Sequence, residues 1–190
     1  MHYYEILILE TIGWLGSILF IGAYFLLSSR IIKKDSLYYM FNIIGALFIL
    51  TVSIYKNTMQ PIILNLFWIY FSYVAYKKNV FKYTLINVKL FNILIFSALF
   101  FSFISLILTQ YSLTLDILAW TSVFTFVTSY YLYSTHKIEL HQFNIYNFIA
   151  PLTLIPKMYV FENYQVVVLE VVWVLIALKA IWRDNITKTT

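Results

Sequence analysis

Long apolar runs follow one another along the whole chain, separated by short polar connectors. Seven runs can be distinguished, at residues 9–27, 37–55, 61–77, 86–108, 115–134, 143–160 and 164–182. Each run has about the length of a membrane-spanning helix, which needs roughly 20 apolar residues. The runs do not alternate between apolar and polar residues as transmembrane β-strands do. The pattern therefore predicts an all-α polytopic membrane protein with seven transmembrane helices.

Composition leaves little room for a domain outside the membrane. Of the 190 residues, 62% are hydrophobic and only 11% are charged, and the mean hydropathy is +0.82. A soluble domain is typically about half apolar and about a quarter charged. Seven spans would occupy about 140 residues, which excludes a sizeable soluble enzyme domain. Cysteine is absent, so disulfides, thiol nucleophiles and cysteine metal sites are excluded too.

The basic residues predict an orientation. Eleven of the 13 Lys and Arg residues would lie on one face of a seven-span protein, namely Arg30, Lys33, Lys34, Lys77, Lys78, Lys82, Lys89, Lys137, Lys179, Arg183 and Lys188. Lys56 and Lys157 would lie on the other face. The positive-inside rule then places the first face in the cytoplasm. We predict a multi-pass inner (cytoplasmic) membrane protein with its N-terminus outside and its C-terminus inside.

The chain also contains an internal repeat. The segment IGWLGSILFIGAYFLLSS from Ile12 aligns with LAWTSVFTFVTSYYLYST from Leu118 at an offset of 106, which becomes 105 after one gap. The rarer residues pair as well: Trp14 with Trp120, Tyr24 with Tyr130, Ser28 with Ser134, Asn42 with Asn147, Gln60 with Gln165, and Trp68 with Trp173. Chance matching of Leu and Ile would not align these positions, so we infer a duplication.

The duplication predicts the organisation of the chain. Residues 1–84 form a first three-helix repeat, residues 85–110 a linker helix, and residues 111–190 a second three-helix repeat. Three spans end on the face opposite to where they began, and the single linker helix returns the chain. The two bundles are therefore parallel, which is a recurrent transporter architecture.

The 3+1+3 plan resembles the SWEET sugar transporters and the related PQ-loop and PnuC-type vitamin transporters. The resemblance covers residues 12–182, although the Pro-Gln dipeptide of that family is absent and Gln60-Pro61 has the reverse order. The pattern GW-x-G, AYFLLSS, DSLYY, N-x-x-GA and N-x-x-W more closely resembles small uncharacterised bacterial inner-membrane proteins with one or two copies of this unit. The resemblance to the SWEET, PQ-loop and PnuC-type plan implies a transporter or facilitator of a small polar solute, such as a sugar, nucleoside or vitamin, that works by alternating access.

Polar and aromatic residues recur at helical spacing on the predicted spans. Between two bundles they would line a central cavity, where amides can hold a polar solute and flat rings can contact it. The candidate substrate-binding residues are Asn65, Glu170, Asn42, Asn147, Trp68, Trp173, Trp14, Trp120, Tyr24 and Tyr130. By the resemblance to SWEET-like proteins, Asn65 and Glu170 stand where each unit's third helix contributes an asparagine to the pocket.

These residues also have structural interpretations. Trp and Tyr are enriched at membrane interfaces, and Asn often forms hydrogen bonds between membrane helices. Glu170 is the most unusual residue, because it lies among valines near the middle of the last run. A carboxylate at that depth is costly and normally faces a cavity or a partner. It could carry a proton or bind a cationic group; the alternatives are a buried ion pair, with Lys157 for example, or a neutral acid bonded to a neighbouring helix.

No catalytic, phosphate-binding or metal-ligand motif accompanies these features. We therefore expect no enzyme, no cofactor, no metal site and no nucleic-acid partner. The expected partners are the lipid bilayer and a small-molecule substrate, with a homo-oligomer left open. The competing hypothesis is a non-transport inner-membrane scaffold or accessory subunit, which predicts a tightly packed centre without a continuous cavity.

Overall fold

A computed structural model describes residues 2–29, 31, 35–77, 86–135 and 137–189. These residues form seven helices and no strand: α1 (His2–Ser28), α2 (Asp35–Tyr55), α3 (Met59–Tyr76), α4 (Val88–Ile107), α5 (Tyr111–Ser134), α6 (Leu140–Val160) and α7 (Tyr164–Thr189). The all-α prediction with seven helices is confirmed. Within the described residues, α1, α2, α4, α5 and α7 are long and apolar enough to cross a membrane. The chain is a helical membrane protein.

Three tight turns of one design join helices at the end of the bundle where α1 begins, which we call the N-terminal end. Asn57, Thr109 and Glu162 adopt left-handed backbone conformations there, with φ of 51°, 57° and 53°. Each of these residues and its successor donates a backbone N–H to a carbonyl of the preceding helix, over 2.9–3.1 Å. This Schellman geometry satisfies the carbonyls of the helix end and reverses the chain. Helices joined by such turns are antiparallel neighbours.

The contacts between helices form a ring. In the first unit α2 packs between α1 and α3, and in the second unit α6 packs between α5 and α7. The units meet where α3 contacts α5 and where α7 contacts α1. The repeat relates α1 to α5 and α3 to α7, so the two contacts between units are equivalent. Outside the ring, α4 packs on α5, and Tyr146 of α6 donates a 2.7 Å hydrogen bond to Asn92 of α4.

Small residues bring α1 and α2 close together. A Cβ atom on Gly16 would lie 2.9 Å from the Cβ of Phe48 and 3.1 Å from the carbonyl oxygen of Gly45. The repeat-related positions of the second unit hold Ser122 and Ala150, which are also fully buried. Membrane helices commonly pack through small residues, because lipid is as apolar as their side chains and only close contact favours association.

The outer surface of the helices is apolar, most clearly on α4. Phe96, Phe100, Phe101 and Phe103 of that helix are all more than half exposed. Contiguous apolar surface of this kind is unusual in a soluble protein and fits contact with lipid. Of the basic residues on which the predicted orientation rests, Arg30, Lys33, Lys34, Lys78 and Lys82 lie outside the described residues.

Candidate functional site

A small cavity lies inside the ring and is lined by six helices, three from each unit. About 20 Å³ of it is open to a molecule the size of water, which is room for about one water molecule. The lining consists of six repeat-related pairs: Phe20 with Phe126, Ile49 with Leu154, Pro61 with Val166, Leu64 with Leu169, Asn65 with Glu170, and Trp68 with Trp173. Because every lining residue has its repeat-related partner in the lining, the cavity lies on the approximate twofold axis between the units.

Two contacts between repeat-related residues lie on the axis, one on each side of the cavity. Towards the N-terminal end, Nδ2 of Asn163 donates a 3.2 Å hydrogen bond to Oγ1 of Thr58, and both residues are buried. Towards the opposite end, the rings of Trp68 and Trp173 meet with centroids 6.2 Å apart. A residue contacts its own repeat-related partner only near the axis. The cavity therefore lies between a polar closure, Thr58 with Asn163, and an aromatic closure.

Two phenylalanines complete the aromatic closure. Phe20 meets Trp68 and Trp173 edge-on, with ring centroids 6.3 and 6.2 Å apart. Phe126 does the same from the other unit, at 6.4 and 6.1 Å. Edge-to-face contacts of this length are favourable because the positive ring edge points at the negative ring face. The four rings thus form one cluster on the axis, on the side of the cavity away from the N-terminal end.

Glu170 is the only residue of the described lining that can carry a charge. It is 4% exposed, and its Oε2 has no hydrogen-bond partner among the described residues. The ion pair with Lys157 that we considered does not form, because Lys157 pairs with Asp116. Lys56 pairs with Glu10, at 3.0 Å. Neither of these lysines supplies the counter-ion that a buried carboxylate requires.

Asn65, the repeat-related partner of Glu170, is equally buried. Its Nδ2 donates a 2.8 Å hydrogen bond to the backbone carbonyl of Pro61, one turn earlier in α3. Two polar side chains therefore line the cavity from opposite units, one an amide and one a carboxyl group. No group of three or more His, Asp or Glu side chains that could hold a metal ion occurs in the described part of the chain.

Two other candidate residues, Asn147 and Tyr24, contact Trp173 and lie outside the cavity lining. The indole nitrogen of Trp173 donates a 2.9 Å hydrogen bond to Oδ1 of Asn147, whose Nδ2 donates to the carbonyl of Phe143 at 2.8 Å. The ring of Tyr24 stacks on Trp173, with centroids 4.3 Å apart and planes 8° apart. The Tyr24 hydroxyl donates to Oδ1 of Asn144 at 3.3 Å. These contacts fix the orientation of Trp173.

The equivalent group at the α3–α5 contact repeats the Trp, Tyr and Asn in a different arrangement, but Tyr39 stands in place of Asn144. The ring of Tyr130 meets Trp68 edge-on, with centroids 4.8 Å apart and planes 78° apart. Nδ2 of Asn42 donates to the carbonyl of Tyr38 at 3.0 Å, as Asn147 does to Phe143. Its Oδ1, however, has no hydrogen-bond partner in the described part of the chain. The two halves of the site therefore differ in their contacts.

Trp14 and Trp120 lie away from the cavity. They are 39% and 43% exposed, so their side chains lie on the outer surface of α1 and α5. Trp14 precedes Phe20 by six residues, which turns it about 120° around the helix at 100° per residue. Of the ten candidate residues, the structure places four in the lining, four behind the two tryptophans, and these two on the outer surface.

A polar network that we did not predict joins the units at the N-terminal end. Lys56 Nζ donates to Oε1 of Gln165 and to the backbone oxygen of Glu162, both at 3.2 Å. Nε2 of Gln165 donates to Oε2 of Glu10, which also pairs with Lys56. Glu10 and Lys56 belong to the first unit, and the other two residues to the second. The repeat-related acid, Asp116, pairs with Lys157, and both of these residues belong to the second unit.

The chain resembles one known protein family. The sequence profile of an uncharacterised protein family matches it twice, over residues 9–84 and 115–188. The matches cover most of the chain, which therefore belongs to this family. They begin 106 residues apart, the offset of the internal repeat, so the two-part repeat is shown. No curated protein and no solved structure matches the chain.

Proposed function

We propose that this member of the family is a transporter or facilitator of a small polar solute, working by alternating access between its two units. The observation that carries the proposal is the cavity on the axis between the units. Its lining is built from six repeat-related pairs and includes a buried carboxyl oxygen without a partner among the described residues. Ionisable groups inside a membrane protein characteristically mark the path of a solute or an ion.

The two closures support the alternating-access part of the proposal. The polar closure of Thr58 and Asn163 and the aromatic closure of Trp68 and Trp173 lie on opposite sides of the cavity. Each is a contact between the two units. A tilt of one unit against the other would separate one closure and keep the other in contact, as in transporters built from repeats. With both closures formed the cavity holds about one water molecule, so this conformation corresponds to a closed state.

The resemblance of the 3+1+3 plan to the SWEET, PQ-loop and PnuC-type transporters is consistent with the proposal at the level of architecture. Architecture alone does not fix function, so the argument rests on the cavity. The distribution of the 13 basic residues favours the inner membrane, with the N-terminal end of the bundle outside. The proposal involves the bilayer and the solute as partners and requires no catalysis, cofactor or nucleic acid.

A second candidate function, a non-transport scaffold or accessory subunit, is favoured by one observation. The space at the centre is about 20 Å³, and aromatic rings fill the axis below it. A scaffold needs no larger space, whereas a transporter must widen this cavity during its cycle. The two candidates therefore differ in whether the cavity opens.

A solute screen tests the proposal. The purified protein is screened for thermal stabilisation by sugars, nucleosides, vitamins and amines, and the uptake of any stabilising solute is measured in proteoliposomes. We expect Asn65→Leu and Glu170→Leu to abolish uptake, because both remove polar groups from the cavity. Trp14→Leu is the control and should leave uptake unchanged, since Trp14 faces outwards. Unchanged uptake in both cavity variants would contradict the site, and no uptake of any stabilising solute would favour the scaffold.

A further inference from the structure

We propose that the solute is a small organic cation of the ammonium class, bound between the carboxylate of Glu170 and the rings of Trp68 and Trp173. The inference rests on the proposed transport function and specifies its substrate. It is carried by the juxtaposition, in one cavity, of an acidic group without a counter-ion among the described residues and a cluster of aromatic rings.

The carboxyl group is the first step of the argument. A buried charge is stable only when it is paired, so an unpaired carboxyl group in the empty cavity is neutral. Lys56 and Lys157, which lie at the N-terminal end of the bundle, form ion pairs with Glu10 and Asp116. No basic residue lines the cavity within the described chain. An entering cation would replace the carboxyl proton, which leaves to the solvent, and would supply the missing counter-ion.

The aromatic rings are the second step. Trp faces attract cations through the negative potential of the ring, more strongly than Tyr or Phe faces do, and the attraction increases when water is excluded. Trp68 and Trp173 both line the cavity and are buried. The lysines described over aromatic rings, Lys77, Lys157 and Lys179, lie over other residues, namely Tyr73, Phe161 and Phe25. Those lysines therefore occupy no tryptophan face, and the stacked Tyr24 covers only one of the two faces of Trp173.

The asymmetry of the pair Asn65 and Glu170 is the third step, because it sets the charge of the solute. One carboxyl group opposite one amide balances a single positive charge. Without a basic residue in the described lining, a phosphate or carboxylate solute would have no counter-charge. A neutral sugar would leave the carboxyl group without a counter-ion, as it is in the empty cavity. The site therefore favours a monovalent cation over an anionic or a neutral solute.

Binding to the purified full-length protein in detergent or nanodiscs tests the class of solute. The probes are methylammonium and choline, and the matched neutral control is 3,3-dimethyl-1-butanol, which has the shape of choline without its charge. We expect both ammonium probes to bind, the neutral alcohol not to bind, and proton release to accompany binding in weakly buffered solution. Equal affinity for choline and its neutral analogue would overturn the proposal, and this comparison needs no variant.

Substitutions locate the binding group. Glu170→Gln removes the charge at nearly constant size and should weaken choline binding at least about 30-fold, as expected for loss of one member of a buried charge pair. Asp116→Asn is the control, because Asp116 pairs with Lys157 within the second unit and does not line the cavity, and it should keep the affinity. The double variant Asn65→Glu with Glu170→Asn moves the carboxyl group to the repeat-related position and should bind choline more tightly than Glu170→Gln does. Unchanged affinity in Glu170→Gln would overturn the assignment.

Failure of this inference is distinguishable from failure of the proposed function. Uptake of a neutral solute that is insensitive to Glu170→Gln would leave a transporter and overturn the cationic substrate. A cavity that never becomes accessible from either side of the membrane would overturn transport itself.

Discussion

The indole nitrogen of Trp173 donates a 2.9 Å hydrogen bond to Asn147, whereas the repeat-related Trp68 and Asn42 share no such bond in the described structure. The Trp and Asn residues are the same types in the two units, but Tyr39 stands at the position related to Asn144, which accepts the hydrogen bond of Tyr24. The α1–α7 contact has the stacked and hydrogen-bonded arrangement, and the α3–α5 contact has the edge-on one. The two contacts between the units are therefore held by different interactions, which allows one to change without the other.

This difference predicts unequal effects of one substitution. Trp173→Phe leaves the buried Oδ1 of Asn147 without its donor, which costs about 1–3 kcal/mol. Trp68→Phe makes the same change of ring size but removes no such hydrogen bond, so it is the matched control. We expect Trp173→Phe to lower the free energy of unfolding more than Trp68→Phe does, by about 1 kcal/mol or more. Denaturant unfolding in detergent measures both, and equal losses would contradict the assigned hydrogen bond.

The close approach of α1 and α2 predicts a steric effect. Gly16→Ala would place a Cβ 2.9 Å from the Cβ of Phe48, so the helices must move apart, at a cost of about 1–3 kcal/mol for overpacking. Nothing lies within 4 Å of a Cβ at Gly22 in the same helix. Gly22→Ala should therefore be neutral or stabilising by up to about 1 kcal/mol, because alanine favours a helix over glycine. Thermal unfolding of the two variants checks the sign, and destabilisation of both alike would argue against the close contact.

The network around Lys56 is expected to hold the N-terminal end of the bundle closed. Lys56→Gln removes its ion pair with Glu10 and its hydrogen bond across the units to Gln165. Partly exposed ion pairs contribute at most about 1 kcal/mol, so the reactivity of a cysteine at Leu169 from this end should rise by up to about fivefold. Lys157→Gln breaks a pair within the second unit only and is the control. A similar rise in both variants would show that the network around Lys56 does not hold the N-terminal end closed.

The polar closure is expected to open during transport. In a Thr58→Cys and Asn163→Cys variant, oxidation should join the two units at the axis, because the native side chains are in hydrogen-bond contact. We expect oxidation to stop uptake and a reductant to restore it. Asn163→Cys alone is the control and should be insensitive to the oxidant. Full uptake by the cross-linked protein would show that this contact does not gate the cavity.

The sequence alone was sufficient to predict the seven helices and the repeat. Run length determines which segments can span a bilayer, and Trp and Asn positions show the duplication through their rarity. The offset of 105 also paired Asn65 with Glu170 and Trp68 with Trp173, and the structure brings these four residues into one lining. That grouping was predictable because repeat-related residues on facing helices converge on the axis.

Other parts of the site depend on packing that periodicity does not contain. Phe20 and Phe126 are an identical pair at the offset of 106, but phenylalanine is common in this chain, so the match does not separate a ring at the axis from one facing lipid. The offset of 105 also relates Thr58 to Asn163, but both lie in connectors between the apolar runs, and only the structure shows their contact. Asp116 lies close to the end of a connector, and only the structure shows that it pairs with Lys157.

Two-sided accessibility of the cavity tests the central claim most directly, and it requires no knowledge of the solute. The chain has no cysteine, so a single Leu64→Cys or Leu169→Cys variant reports without background. Phe96→Cys, on the exposed surface of α4, is the lipid-facing control. With a membrane-impermeant thiol reagent applied to either side of oriented proteoliposomes, we predict that both cavity cysteines react from both sides and that the control reacts from neither. Cavity cysteines that react from one side only, or from neither side, would contradict alternating access.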